Sequence, residues 1–334
     1  MKKKSLPPTL IISLGKFVWT TMWKIMMSQL APRNKSGEYL RPESQFRNFI
    51  NSEVDRPYPP EKGRYKLIVG MSCPWAHRTL VVRTLKGLEE VIGVIQVSLS
   101  SDRGGWVFDR EEEGCSSLAE LYQLALPGYR GRCTVPVLWD TKTKTIVNNE
   151  SAEIIVMLDS EFNSFASNSS LDLYPEGLRE KIDLWNDKIY HSVNNGVYKC
   201  GFAQTQEAYN SACKELFATL DEIDVALSRS RYLCGDSLTL ADVRLFTTLF
   251  RFDIAYYGLF KCNLRRIADY ENLGGYLRDI YQFSGVADTC SLEDIKQEYY
   301  NLFPLNPGGI IPAGPDITNL LVPHDRDKIS QDRS

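Results

Sequence analysis

RYKLIVGMSCPWAHRTLVVRTLKGLEEVIGVIQVSL, residues 64–99, is the stretch that decides the fold. It opens on a short apolar run, residues 64–70, whose length and closing Gly predict a buried strand. Residues 72–88 predict a helix. Pro74 suits its first turn, where a missing N–H costs nothing, and Gly87 suits its end. Residues 92–99 predict a second strand, and strand, helix, strand at this spacing is a βαβ unit. Residues 100–131 read as polar, Gly-containing connection with one short helical candidate at 118–124. Residues 135–139 and 145–148 predict a hairpin pair. Residues 151–158 predict a helix with Glu150 and Glu153 at its positive end. The order is β-α-β, then β-β-α, which is thioredoxin-like.

From about residue 174 the strand signals stop. Apolar residues recur at helical spacing, as in Leu216, Leu220, Ile223 and Leu227, and Thr239 with Asp242 forms a capping box opening another helix. The expected architecture is therefore an α/β thioredoxin-like domain (64–162) behind a lead-in (1–63). A linker (163–173) joins it to an all-α domain (174–300), and an extended tail (301–334) wraps the surface. A chain of 334 residues suits two domains.

Composition narrows the function. Net charge is -3 and Lys and Arg form no long block, so a nucleic-acid partner has no electrostatic footprint. Three histidines, His77, His191 and His324, make a poor stock for a His-based metal site, and no metal is expected. The eight cysteines include no CxxC pair, which excludes zinc ribbons and dithiol redox motifs. A chain this long needs no disulfide staples, so the cysteines read as thiols of a reducing, cytoplasmic protein. Most are small buried hydrophobes. Residues 9–30 are apolar and follow Lys2, Lys3 and Lys4, but Lys16 and Lys24 interrupt them. A membrane span needs ~20 mostly apolar residues, and a signal peptide an unbroken apolar centre. The segment is read as amphipathic and packed on the protein's own surface, in preference to a peripheral membrane contact.

Cys73 is different from the other seven cysteines. It follows a buried strand and precedes Pro74 and a helix, so its sulfur lies at a helix N-terminus. Unpaired backbone N–H groups and the helix dipole favour a thiolate there, and such sites lower a thiol pKa from ~8.5 to ~3.5–7.5. The thiolate is the nucleophile. Three residues on stands Ala76 rather than a second Cys, so a mixed disulfide at Cys73 needs an external thiol to resolve it, and glutathione is the abundant candidate. Val135-Pro136 starts a strand whose backbone can pair with a peptide-like ligand. Glu150 and Ser151, at a helix start, can hold a γ-glutamyl group; alone they would read as ordinary helix capping.

These residues carry a family likeness. CPWAHR (73–78), GGWVF (104–108), VPVLWD (135–140) and NNES (148–151) resemble the glutathionyl-hydroquinone reductases, the Xi class of glutathione transferases. So do NNGVYKCGFA (194–203), LTLADVRLFTTLFRFD (238–253), FKCN (260–263), DYENLGGYLRDIYQ (269–282) and NPGGI (306–310). The likeness covers about residues 44–315. It implies a homodimer that removes glutathione from glutathionyl-hydroquinones through Cys73. Trp106 would cover the bound glutathione, with Val135, Pro136, Glu150 and Ser151 around it and Arg103 as a candidate basic contact. Tyr198, Tyr256 and Tyr299 would line the hydroquinone site, with Tyr257 and Tyr300 as alternatives one register away. Two other readings share parts of this pattern. An omega-like thiol transferase or dehydroascorbate reductase would use the same cysteine. A non-enzymatic binding module would not need Cys73 and Trp106 together.

Overall fold

The computed structural model describes residues 7–31, 39, 43–53, 56–100, 104–302 and 304–331. The quoted stretch folds as strand β1 (Tyr65–Val69), helix α2 (Pro74–Leu85) and strand β2 (Gly93–Leu99), after an N-terminal helix α1 (Pro8–Leu30). β1 and β2 are parallel, Leu67 facing Val94. Gly87 ends α2 at φ +63°, the left-handed turn that Gly alone enters cheaply.

One expectation fails between residues 100 and 131. The polar connection contains two strands, β3 (Trp106–Glu112) and β4 (Cys115–Ser117), before helix α3 (Leu118–Ala125). Only Phe108 of β3 is fully buried. Asp109, Arg110 and Glu111 face water, so the strand carries the charges that blunt a sheet margin and shows little apolar alternation. β5 (Val137–Asp140), β6 (Thr145–Asn148) and α4 (Ser151–Ser160) complete the domain, in a mixed sheet of order β4-β3-β2-β1-β5-β6.

The all-helical part holds α5 (Arg179–Ile189), α6 (Gly196–Gly201), α7 (Gln206–Leu227), α8 (Leu240–Arg251), α9 (Leu273–Tyr281) and α10 (Leu292–Tyr300). Thr239 and Asp242 form the capping box of α8, and the buried Asp242 also accepts from Tyr276 Oη at 2.9 Å. Two π-helical turns interrupt the helices, at Tyr190–Asn194 before α6 and at Phe252–Tyr256 after α8. α8 packs on α2, which joins the two domains along the helix that begins at Cys73. Almost every residue of α2 is buried as a result, including His77 and Arg78.

The connection at 163–173 is docked: Asn168 donates from its side chain to Leu85 O (2.9 Å) and from its backbone to Lys86 O (3.1 Å), covering the open carbonyls of α2. The C-terminal segment is largely irregular and includes a short helix α11 (Asp327–Gln331). The N-terminal segment departs from its reading. α1 packs on the body only at its C-terminal end, where Met27 is buried and Trp23 half-buried against the core; across Pro8–Met27 only 6% is buried.

Candidate functional site

Cys73 is the N-cap of α2, with extended backbone (φ -75°, ψ 117°), and Pro74 takes the first helical position. The turn before it is held from the other domain. Arg251, wholly buried at the end of α8, donates to Ser72 O (2.6 Å), Met71 O (2.8 Å) and Thr247 O (2.9 Å). It also donates to His77 Nδ1 at 2.8 Å. A guanidinium cannot accept, so His77 carries its proton on Nε2, which reaches Thr289 Oγ1 at 2.8 Å. Thr289 Oγ1 in turn donates to Val286 O (2.7 Å). Burial and then the nearby Arg251 charge push the imidazole well below its ordinary pKa, so His77 is neutral. Ser72 Oγ hydrogen-bonds Glu298, whose carboxyl burial pushes upward.

Cys73 lies between two hollows. The larger, about 500 Å³, is shared by Trp106, Val135, Tyr198, Arg130 and Arg132. The smaller, about 150 Å³, is closed by Trp106, Leu99, Tyr198, Glu298 and Tyr299. The Cys73 thiol points at Val135 O (3.7 Å), and the Val135-Pro136 bond is cis. Trp106 belongs to both hollows because β3 brings it over Gly70, where a Cβ would overlap the indole ring. Gly70 is therefore required by close approach.

The three tyrosines meet, with Tyr198 and Tyr299 lining the smaller hollow and Tyr256 buried behind them. Tyr299 Oη sits 2.8 Å from Tyr198 Oη and 2.9 Å from Tyr256 Oη. Tyr300 donates elsewhere, to Ile254 O (3.2 Å). Tyr257 projects from the turn with its ring partly exposed. The π turns supply this arrangement, one leading into α6 and Tyr198, the other carrying Tyr256. Burial raises all three phenols above their ordinary pKa, so each remains a proton donor at neutral pH.

Other expected residues stand further off. Glu150 caps α4, accepting from Ala152 N (3.1 Å) and from Ser44 Oγ (3.0 Å), and lines a neighbouring recess with Arg244 and Glu153. Ser151 is buried. Ser44, Gln45 and Asn149 form the wall of the larger hollow on that side. Arg103 lies outside the described residues. Sequence reasoning missed Arg130 and Arg132, whose YRGRC run is a visible basic signal, and Arg251 and Glu298, for which only the packing of α8 and α10 gives a signal. Burial raises the thiols of Cys115, Cys133, Cys213, Cys234 and Cys262, and that of Cys290 to about 12.

A thioredoxin-like sheet, a cysteine at the first helix and a helical domain closing over it define a glutathione transferase. Residues 72–161 match the glutathione S-transferase N-terminal domain and 206–279 its C-terminal domain. The chain is 44% identical to glutathionyl-hydroquinone reductase YqjG of Escherichia coli over 326 residues, 93% of this chain and 97% of that one. It is 44% identical over 306 residues to glutathionyl-hydroquinone reductase PcpF of Sphingobium chlorophenolicum, covering 89% and 94%. The glutathione-bound structure of YqjG from Escherichia coli K-12 superposes with a TM-score of 0.79 at 46% identity, covering 85% and 96%. The chain belongs to the glutathionyl-hydroquinone reductases, the Xi class of glutathione transferases.

Proposed function

We propose that this enzyme reduces glutathionyl-hydroquinones to free hydroquinones with glutathione as the reductant, with Cys73 as nucleophile. The observation that carries the reading is the position of Cys73 between two hollows, one lined by backbone, Trp106 and two arginines, the other closed by hydrogen-bonded phenols. The first suits a peptide with a carboxylate at each end, with Arg130 and Arg132 as charge partners. The second suits a small hydroxylated ring.

The Cys73 thiolate attacks the sulfur of the thioether. An S–S bond forms to glutathione and the C–S bond breaks. Departure from the aromatic ring as a carbanion is prohibitive. In the keto tautomer the sulfur is next to a carbonyl, and the electron pair leaves onto oxygen as an enolate. Proton uptake then restores the hydroquinone. Tyr198 and Tyr299 donate to the ring oxygens where that charge develops. A second glutathione thiolate attacks the mixed disulfide, releases oxidised glutathione and frees Cys73. None of the eight cysteines forms a disulfide among the described residues, which suits work in the cytoplasm.

The test is to incubate the protein with a glutathionyl-hydroquinone and glutathione. Hydroquinone and oxidised glutathione should appear in equal amounts, and Cys73→Ser should produce neither. Hydroquinone release by the Ser variant at a near-normal rate would show that the sulfur is attacked by something else.

A further inference from the structure

α1 is a regular helix of 23 residues, exposed to solvent from Pro8 to Met22 and packed on the body at its C-terminal end. Leu14 is 61% exposed and Phe17 69%, although both are large and apolar. Its polar residues are ordered. At 3.6 residues per turn, Thr9, Ser13, Lys16, Thr20 and Lys24 fall on one narrow stripe, and all five are exposed. The remaining surface from Leu10 to Met26 is apolar apart from Gly15 and Thr21. Trp23, beside Lys16 at the stripe's border, packs partly on the body and leaves the apolar arc from Leu10 to Met22 exposed.

The charge on this end has one sign. Lys2, Lys3, Lys4, Lys16 and Lys24 precede the first acidic residue, Glu38, in a chain whose net charge is -3. A stripe one residue wide on an otherwise apolar cylinder excludes two simpler arrangements. A membrane-spanning pose would bury Lys16 near mid-bilayer, which is costly. A second copy's helix would cover one side of an apolar arc that extends well beyond half the circumference. A lipid surface covers the whole arc, with the lysines extended to the headgroups. We propose that α1 lies in the plane of an anionic lipid surface and holds the enzyme there, with the two domains in water. The inference rests on α1 alone and stands apart from the reading of Cys73.

Flotation of the full chain with vesicles tests it. Vesicles of phosphatidylcholine with 30 mol% phosphatidylglycerol should carry the protein upward, and alkaline carbonate should release it. Pure phosphatidylcholine should bind it roughly tenfold more weakly, and Lys16→Glu with Lys24→Glu should weaken binding to anionic vesicles by about the same factor or more. Hydroquinone turnover in solution should be unchanged in that double variant. Binding that ignores headgroup charge and resists carbonate would mean a span and overturn the proposal. So would failure to float with either vesicle, whether the chain is monodisperse or an oligomer that loses copies when residues 1–31 are removed.

Discussion

Cys73 and the phenols beside it differ in how they were found. Cys73 could be singled out from strand, Pro and helix signals in one short stretch, because its chemistry depends on local geometry. The tyrosines could be named only through the family likeness, since Tyr198, Tyr256 and Tyr299 are spread over 101 residues and meet only after folding. Their unequal positions make a prediction. Tyr198 and Tyr299 border the smaller hollow, whereas Tyr256 is wholly buried behind them and hydrogen-bonds Tyr299. Tyr299→Phe should lower hydroquinone turnover roughly tenfold or more, Tyr256→Phe less, with reduction of a small disulfide by Cys73 retained in both. Equal, full turnover in the two would return these rings to packing. Because burial holds the phenols above their ordinary pKa of ~10, they stay protonated through the alkaline range. The pH profile of kcat should show no fall between pH 8 and 9.5 that disappears on Tyr→Phe substitution.

At the scale of elements, α2 is positioned from behind as much as by the sheet. Arg251 reaches from the end of α8 to the carbonyls of Met71 and Ser72 and fixes His77 as a neutral acceptor. The folded-state pKa of His77 is depressed, whereas the unfolded chain takes up a proton near ~6.5. Below that value the unfolded state binds more protons, so stability is present above about pH 6.5 and is lost as pH falls, by up to ~1.4 kcal/mol per pH unit for this one group. His77→Gln, which keeps a side-chain acceptor and donor, should flatten the pH dependence of unfolding between pH 6.5 and 5. An unchanged slope by chemical denaturation would place the sensitivity elsewhere. β3 shows the opposite relation to sequence: it was hidden because its outward residues are charged, yet it delivers Trp106 to the site.

Across the whole molecule, the irregular C-terminal segment acts as a clamp. Arg326 is buried and donates from Nη2 to Leu227 O (2.8 Å), Ser230 O (2.7 Å) and Arg231 O (2.9 Å), at the end of α7. Gln282 donates to Leu320 O (2.7 Å) and Val322 O (2.8 Å), and so ties the segment to α9. Arg326→Ala would leave three carbonyls without this donor and should cost about 2–4 kcal/mol. Thermal unfolding and limited proteolysis would report it as a lower Tm and faster cleavage after residue 301. A variant as stable as the parent would show the segment to be only draped on the surface.

The sequence by itself determined the βαβ start, the hairpin, the capping box of α8 and the place of Cys73 at a helix N-terminus. Each depends on contacts between residues close in the chain, where apolar period, Pro and Gly positions and helix polarity suffice. Tertiary structure alone decided the hydrogen-bonded tyrosine cluster, the Arg251 brace on the Cys73 turn and the place of Trp106 over Gly70. These join groups far apart in sequence, and their geometry follows from how α8, α10 and β3 pack around α2, which no local pattern encodes.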